Sequence, residues 1–216
     1  MVERAVCVAD IGCDHGFVPI YMVENGICER AIAMDVRSGP LGKATDNVSR
    51  AGLSDRIELR LSDGADKLNV GEADAITICG MGGALIRSIM EAKPEVFRGA
   101  DRLVLGPQSE IYDFRRFLLE SGYDINDEQV VFEEEKYYFL IKSQYIGMPQ
   151  CYNEAELNYG RHPLMRRDET LKGYILKERQ LALRVLDGLP DKSIPAGVKN
   201  LNRIRFIDNV LGDYYG

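Results

Sequence analysis

The sequence has few of the features that mark membrane, secreted or metal-binding proteins. No apolar run approaches the roughly 20 residues that a membrane-spanning helix needs, and the N-terminus does not show the basic, apolar and small-residue order of a signal peptide. The five cysteines form no C-x-x-C pair, which argues against a zinc site and against a disulfide framework. We therefore expect a cytoplasmic protein with reduced thiols and no metal.

A surplus of basic residues is also missing. The formal net charge of -7 does not suggest a nucleic-acid-binding protein, because neutralising phosphates needs a basic surface. The charge is unevenly distributed, however, since the chain is acidic up to about residue 150 and slightly basic beyond it. Candidate phosphate ligands in the basic part are Arg161, Arg166 and Arg167. The alternative interpretation of this part is a solvated helix surface of mixed charge.

Strand and helix patterns alternate through most of the chain. A length of 216 residues with 45% hydrophobic residues is enough for one α/β domain and a small appendage. Five strands are predicted at residues 5–9, 30–35, 57–61, 73–79 and 102–105, and an antiparallel hairpin at 123–132 and 137–143. Helical crossovers between the first five strands would make a parallel, doubly wound sheet.

The pattern changes near Gly147-Met148-Pro149. Helices without strand alternation follow at about residues 154–159, 168–186 and 198–211, for which an antiparallel helix pair is the simplest architecture. We therefore predict an α/β domain over residues 1–147 and a small α-helical, coiled-coil-like domain over residues 148–216.

The first strand leads into the glycine-containing turn Asp10-Ile11-Gly12-Cys13-Asp14-His15-Gly16. Such a strand–turn–helix junction is where α/β sheets bind anionic or nucleoside ligands. A dinucleotide fingerprint would need glycine at positions 12, 14 and 17, and two of these three are not glycine, so NAD is disfavoured. The motif Asp-x-Gly-x-Asp-x-Gly resembles the first motif of class I S-adenosylmethionine (SAM) methyltransferases, with Asp14 in place of the middle glycine. The alternative is a purely structural turn.

Two further carboxylates follow the next strands. Asp35 lies about 20 residues beyond the turn, where a Rossmann-like fold places the acid that accepts hydrogen bonds from a ribose diol. Asp63, in Ser62-Asp63-Gly64, lies at the end of the third strand and could accept a hydrogen bond from the amino group of an adenine. The alternative is a simple Asp-Gly turn. Together, Asp35 and Asp63 favour a nucleoside cofactor.

The fourth strand runs into Gly80-Met81-Gly82-Gly83. Three glycines in four residues raise the entropy cost of ordering the chain, so they suggest that a ligand approaches the backbone closely. Met81 would line a base or the cofactor methyl group, or alternatively only pack against its neighbours.

These motifs together resemble a known family. The Asp10 to Gly16 turn, the Asp35 strand with its following Gly39-Pro40, Ser62-Asp63-Gly64, the Gly80 to Gly83 loop and Lys136-Tyr137-Tyr138 are similar to bacterial tRNA (adenine(22)-N1)-methyltransferases. The resemblance covers nearly all of the first 145 residues. It implies a Rossmann-like SAM methyltransferase domain followed by a helical extension.

Two departures from the family pattern are visible. Family members carry a short helical segment before the first strand, whereas only Met1 to Arg4 precede it here, so a truncated or altered start is expected. Many members also have Gln-Pro-Asn after the fifth strand, where this chain has Gly106-Pro107-Gln108.

Site residues follow from the resemblance and from the chemistry. Adenine N1 attacks through a free lone pair, so positioning matters more than a general base, and His15 is expected to line the pocket rather than remove a proton. We predict Gln108, through a bond to the adenine N6 amino group, and Met81 as the catalytic residues; the alternative is that Gln108 caps the following helix. The predicted cofactor-binding residues are Asp10, Gly12, Asp14, His15, Gly16, Asp35, Asp63, Gly64, Gly80 and Gly82.

The predicted function is SAM-dependent methyl transfer to N1 of an adenine in tRNA. The partner would be tRNA, held by Arg161, Arg166 and Arg167 of the helical domain, and the protein would be a monomer or a weak oligomer. Two alternatives stay open: a SAM methyltransferase that acts on a small molecule, a protein or another RNA, and a non-catalytic SAM-binding RNA module.

Overall fold

A computed structural model describes all residues, 1–216. The chain forms two compact units, one comprising Met1–Glu128 and Tyr138–Cys151, and the other Gln129–Tyr137 and Tyr152–Gly216. The segment Gln129–Tyr137, which contains the hairpin turn, therefore groups with the C-terminal helices. The division of the chain into domains at residues 147 and 148 stays a prediction.

A seven-stranded sheet forms in the order β3-β2-β1-β4-β5-β7-β6. The first five strands are parallel, and β7 pairs antiparallel with β5. The strands are β1 Ala5–Ile11, β2 Cys28–Asp35, β3 Ile57–Leu61, β4 Ala75–Met81, β5 Arg102–Pro107, β6 Tyr123–Glu133 and β7 Lys136–Tyr145. The predicted parallel sheet with a closing hairpin is confirmed. Because the first five strands are parallel, their carboxyl ends share one edge of the sheet.

Nine helices accompany the strands. They are α1 Phe17–Glu24, α2 Ser38–Arg50, α3 Gly83–Ala92, α4 Pro94–Gly99, α5 Ile111–Glu120, α6 Glu154–Tyr159, α7 Arg161–Met165, α8 Glu169–Asp187 and α9 Pro195–Tyr215. The sequence pattern did not reveal α4 and α7, since helices of six and five residues are too short to show a helical period. No helix is long and apolar enough to cross a membrane.

The prediction that helices join all five parallel strands is wrong for one connection. Residues 62–74, between β3 and β4, form turns instead of a helix. Arg60 holds this connection, because its guanidinium donates to the Lys67 carbonyl at 2.7 Å and to the Glu72 carboxylate at 2.5 Å. The same hydrogen bond lowers the pKa of Glu72 to about 2. The chain can therefore order these turns without a helix.

Apolar side chains form the core around the sheet. Strand β1 is buried from Cys7 to Ile11, as expected for a central parallel strand covered on both faces. Helices α1 and α2 pack on β1, β2 and β3 through Met22, Val23, Ala44 and Val48. The same packing brings Ala44 within 3.1 Å of where a Cβ on Gly16 would lie, which positions the turn after β1.

In the second unit, α8 and α9 form the predicted antiparallel pair. Tyr215 Oη donates to the Asp168 carbonyl at one end, at 3.0 Å, and Leu186 packs with Ile204 towards the other. The hairpin segment joins this unit through Tyr137, whose hydroxyl would lie 3.0 Å from a Cβ on Gly173 and whose ring contacts Tyr174. Glycine in the middle of α8 is thus explained by the close approach of Tyr137.

Candidate functional site

The turn after β1 contains three residues in the left-handed backbone conformation, which favours glycine. Gly12, Asp14 and Gly16 all have positive φ angles, of 77°, 48° and 75°. A Cβ on Gly12 would overlap the Met81 Cε atom, so a side chain there would have to displace the end of Met81 and would also be strained by the positive φ angle. Aspartate is one of the few residue types besides glycine that enter the left-handed region. Asp14 can therefore occupy the place of the middle glycine without changing the turn.

Asp35, at the end of β2, connects this turn to the next one. Its side chain is 5% exposed, with Oδ2 accepting from the Asp14 backbone N–H at 3.2 Å and Oδ1 from the Arg37 backbone N–H at 2.8 Å. The Arg37 guanidinium lies 3.7 Å from Oδ1. A carboxylate offers about four acceptor positions, so Asp35 retains capacity for a ligand hydroxyl.

A cavity of about 280 Å³ opens beside Asp35, at the carboxyl edge of the sheet. Five of the residues predicted from sequence line it: Gly12, Asp35, Asp63, Gly64 and Met81. The other lining residues are Ile11, Val36, Arg37, Ser62, Leu85 and Ile89. The cavity thus has carboxylates and apolar walls in contact with the same space.

Val36 and Leu85 are walls that the sequence reasoning missed. They are 59% and 53% exposed, although both are large and apolar. Each follows a strand end, Val36 directly after β2 and Leu85 in the first turn of α3. An exposed apolar side chain beside a nucleoside-sized cavity is suited to contact a flat ring.

The connection after β3 also lines the cavity, through Ser62, Asp63 and Gly64. Ser62 is buried, and its hydroxyl donates to the Gly64 carbonyl at 3.1 Å and accepts from the Lys67 backbone N–H at 3.1 Å. Gly64 has a φ angle of 51°, and a Cβ there would lie 3.0 Å from Ile89 of α3. These contacts hold Ser62 and Gly64, the residues on either side of Asp63.

Asp14 and His15 lie beside the cavity but do not line it. The Asp14 carboxylate is 56% exposed and lies 3.8 Å from the Arg37 guanidinium and 3.6 Å from His15 Nε2. The His15 carbonyl accepts from the Asn47 amide at 2.9 Å, which ties the turn to α2. An exposed carboxylate so close to Gly12 is available to a cationic ligand group.

Asp10 lies within the sheet and outside the cavity lining. It is 4% exposed, and its Oδ1 accepts from the Thr77 hydroxyl at 2.6 Å. Burial raises the pKa of Asp10 to about 6, which outweighs the lowering by the Thr77 hydrogen bond. An ionised Asp10 therefore destabilises the folded protein at neutral pH.

Replacing Asp10 by asparagine is expected to stabilise the protein at pH 7.5 by about 2 kcal/mol. Because the folded-state pKa of about 6 lies above the ordinary 3.8, the folded protein binds more protons between these values, so its stability falls as pH rises through that window. The gain should therefore disappear near pH 4. Urea unfolding of both proteins at the two pH values tests this. An Asp46→Asn control, at an exposed site on α2, should show no such difference.

The Gly80 to Gly83 loop packs against the loop that follows β5. The register between β4 and β5 shifts between Cys79 and Met81, where Gly80 has a φ angle of 80°. The Met81 carbonyl accepts from the Gln108 backbone N–H at 2.8 Å, and the Gly83 N–H donates to the Ser109 carbonyl at 3.0 Å. The two loops are therefore joined by backbone hydrogen bonds.

Gly82 and Gly83 have a packing reason to be glycine. A Cβ on Gly82 would lie 2.8 Å from Ser109 Oγ, and one on Gly83 would lie 2.7 Å from the Ser109 carbonyl oxygen. Neither residue lines the cavity. Close approach of a ligand is thus unnecessary to explain these two glycines, and a role of Gly82 in cofactor binding stays a prediction.

Gln108 lies at the same edge, beside Gly80. A Cβ on Gly80 would be 3.9 Å from Gln108 Nε2. The N-cap of α5 is Glu110, and no side chain caps this helix. The alternative that Gln108 caps the helix is therefore wrong. The Gln108 side-chain amide makes no capping hydrogen bond at the start of α5.

The three arginines of the second unit differ in their surroundings. Arg161 donates to the Glu156 carboxylate at 2.9 Å and stacks 3.9 Å from the centre of the Tyr152 ring. Arg166 and Arg167, at the end of α7, are exposed, and Arg167 has a φ angle of 53°. The latter two are therefore the more accessible cations. No group of three or more His, Cys, Asp or Glu side chains is arranged to hold a metal ion.

Comparisons with known proteins identify similar chains. A family described as a methyltransferase domain matches residues 1–141. The tRNA (adenine(22)-N(1))-methyltransferase of Bacillus subtilis is 36% identical over 159 residues, which are 74% of this chain and 67% of that protein.

Solved structures are similar over almost the whole chain. Sp1610 of Streptococcus pneumoniae superposes with a TM-score of 0.91 at 28% identity, covering 98% of this chain and 95% of that one. A structure of Sp1610 in complex with S-adenosyl-L-methionine gives a TM-score of 0.88 at 27% identity, covering 98% and 94%. The B. subtilis m1A22 tRNA methyltransferase gives 0.81 at 28% identity, covering 97% and 93%.

Proposed function

Since the chain belongs to the tRNA (adenine(22)-N1)-methyltransferase family of methyltransferase domains, we propose that it transfers the methyl group of SAM to N1 of adenine 22 in tRNA. The observation that carries this proposal is the cavity at the carboxyl edge of the sheet, with Asp35 and Asp63 beside the apolar walls Val36 and Leu85. Because tRNA is the substrate, we expect the enzyme to act in the cytoplasm.

The cavity residues fit an adenosine group. Asp35 would accept hydrogen bonds from the ribose diol, and Asp63 from the adenine amino group. Val36 and Leu85 would contact the faces of the adenine ring, which explains why two large apolar side chains are left exposed beside the cavity. Gly12 and Gly64 keep the backbone free of side chains at the cavity.

The methionine end of the cofactor would lie at the turn after β1. The exposed Asp14 carboxylate, two residues after Gly12, would pair with the ammonium group. Asp10, buried behind the turn, adds negative charge at a distance, while His15 and Gly16 shape the turn. When bound, SAM supplies an electrophilic methyl group on a sulfonium.

The target adenine would lie between Met81 and Gln108. Met81 is the last residue of β4 and Gln108 directly follows β5, and the backbones of the two residues are hydrogen-bonded. The side-chain oxygen of Gln108 would accept from the adenine N6 amino group, and Met81 would pack between the base and the cofactor. Because N1 is occupied in a base pair, the adenine must be unpaired or extruded before it reacts. N1 needs no general base, so the residues act mainly by orientation.

The helical unit would bind the tRNA backbone. Arg166 and Arg167 are exposed next to each other, whereas the Arg161 side chain is only 36% exposed and would contribute less. Replacing Arg166 and Arg167 by alanine should raise the Kd for tRNA about tenfold and reduce the slope of log Kd against log salt by about 2.

Filter binding over a series of salt concentrations measures both quantities. A Lys192→Ala/Lys199→Ala control removes the same charge from the same unit and should change tRNA affinity less. If the Arg166→Ala/Arg167→Ala protein binds tRNA as tightly as the wild type, this surface does not hold the substrate.

The activity itself can be tested with labelled SAM and unmodified bulk tRNA. Reverse transcription of the product should stop at one adenine, because a methyl group on N1 blocks base pairing. Label transfer to free nucleosides or peptides in the absence of tRNA would indicate a different methyltransferase. Binding of SAM and tRNA with no stop and no label transfer would indicate a non-catalytic module.

A further inference from the structure

The Glu110 carboxylate lies close to the glycine-rich loop, which contains the cavity-lining residue Met81. Besides its contact with Ser109, a Cβ on Gly82 would lie 3.4 Å from Glu110 Oε2, and one on Gly83 would lie 3.2 Å from the Glu110 carbonyl oxygen. Side chains at these two positions would therefore displace Ser109 and Glu110. The absence of side chains on the loop lets Glu110 approach it closely.

Glu110 also has an unusual backbone. Its φ angle is 50°, in the left-handed region that glutamate rarely adopts, and glycine would be the unstrained residue there. Its side chain does not cap α5; it accepts from the Ser109 hydroxyl instead. Strained residues of this kind cluster at functional sites, since stability alone would favour another residue.

The methyl transfer places positive charge on the base, which a nearby carboxylate would stabilise. The N1 lone pair forms the new N–CH₃ bond while the pair of the S–CH₃ bond stays on sulfur, so the positive charge passes from the sulfonium to the adenine ring. That charge is shared with the N6 amino group, which has two N–H donors. Gln108 would accept from one of them, which leaves the second N–H for another acceptor. A carboxylate there would bind the transition state more tightly than the neutral base.

Other carboxylates of the site have different partners. Asp10 is buried and bonded to Thr77, and Asp14 lies beside Arg37 at the turn after β1. Glu110 is exposed and belongs to the same loop as Gln108, two residues further along. Glu110 is therefore the exposed carboxylate that is nearest in the chain to Gln108 and that also approaches the glycine-rich loop.

We propose that the Glu110 carboxylate accepts the second N6–H of the target adenine and stabilises the positive charge that the base gains. This inference rests on the proposed transfer to adenine N1. It assigns a function to Gly82 and Gly83 as well, because both glycines hold the loop in which Glu110 lies.

The test compares kcat, the Kd for SAM, the KM for tRNA and the Tm of three variants. Glu110→Gln, which removes the charge but keeps the shape, should lower kcat about 10- to 100-fold while the SAM Kd and the tRNA KM stay within twofold of the wild type. Glu110→Asp should retain more activity than Glu110→Gln. Glu110→Gly should lower kcat similarly and raise the Tm by about 2 °C, because it relieves the left-handed strain.

Glu120→Gln serves as the control, since it makes the same change at an exposed site near the other end of α5 and should alter nothing. A fall in kcat below fivefold for Glu110→Gln, or one matched by a loss of SAM affinity or of Tm, overturns the inference. Wild-type protein that forms no N1-methyladenine would instead refute the proposed function, so the two failures are distinguishable.

Discussion

Replacing Asp35 by asparagine is expected to weaken SAM binding by about 100-fold. Asp35 would make two charge-assisted hydrogen bonds to the ribose diol, each contributing about 1.5 kcal/mol, and about 1.4 kcal/mol corresponds to a tenfold change in Kd. Asparagine has only one acceptor oxygen, so it cannot accept from both the Asp14 and the Arg37 backbone N–H groups, and one of these two hydrogen bonds is lost. Isothermal titration calorimetry with SAM measures the change.

The matched control is Asp46→Asn, which removes an exposed carboxylate from α2 and should leave the SAM Kd unchanged. Thermal unfolding without ligand separates lost binding from lost folding, and the Asp35→Asn protein should unfold cooperatively. A Kd within tenfold of the wild type would mean that Asp35 does not hold the ribose and that the cofactor lies elsewhere.

The Arg115–Glu128 pair carries the largest expected effect on stability. Arg115 Nε donates to Glu128 Oε1 at 2.6 Å, and the two side chains are 0% and 2% exposed. Arg115→Met should lower the free energy of unfolding by about 3–5 kcal/mol, because it leaves a buried carboxylate without its guanidinium. The double variant Arg115→Met/Glu128→Leu should recover most of this loss, since neither charge is then buried alone.

Urea unfolding of the single and double variants measures both effects. Arg116→Met is the matched control, because Arg116 is the next residue along α5. Arg116 pairs with Asp113 at the surface, and its side chain is 51% exposed. Its replacement should change the free energy of unfolding by less than about 1 kcal/mol. Equal losses for Arg115→Met and Arg116→Met would contradict this account of the buried pair.

The strands and most helices could be predicted because their patterns are local. Apolar runs such as β1 and β2 are characteristic of central parallel strands, and they alternate with amphipathic segments. The connection between β3 and β4 could not be predicted, because its order depends on Arg60 reaching Lys67 and Glu72. Likewise, the grouping of Gln129–Tyr137 with the C-terminal helices depends on the packing of Tyr137 at Gly173, which no local pattern encodes.

For the site, topology made the acidic residues predictable. Asp35 ends one parallel strand and Asp63 follows the next, so a sheet of the predicted kind must bring them to one edge, where both line the cavity. Val36 and Leu85 were missed, because an apolar residue in the sequence gives no sign that it will be exposed beside a cavity. Glu110 was also missed, since its left-handed backbone and its contact with Gly82 exist only in three dimensions.

The central claim is methyl transfer to one adenine of tRNA, and a matched pair of transcripts tests it most directly. The enzyme and labelled SAM are incubated with a tRNA that has adenine at position 22 and with the same tRNA carrying guanine there, and the digested nucleosides are analysed by mass spectrometry. We expect one N1-methyladenosine per molecule of the first tRNA and none in the second. Equal labelling of both transcripts, or no N1-methyladenosine in the first, would contradict the account.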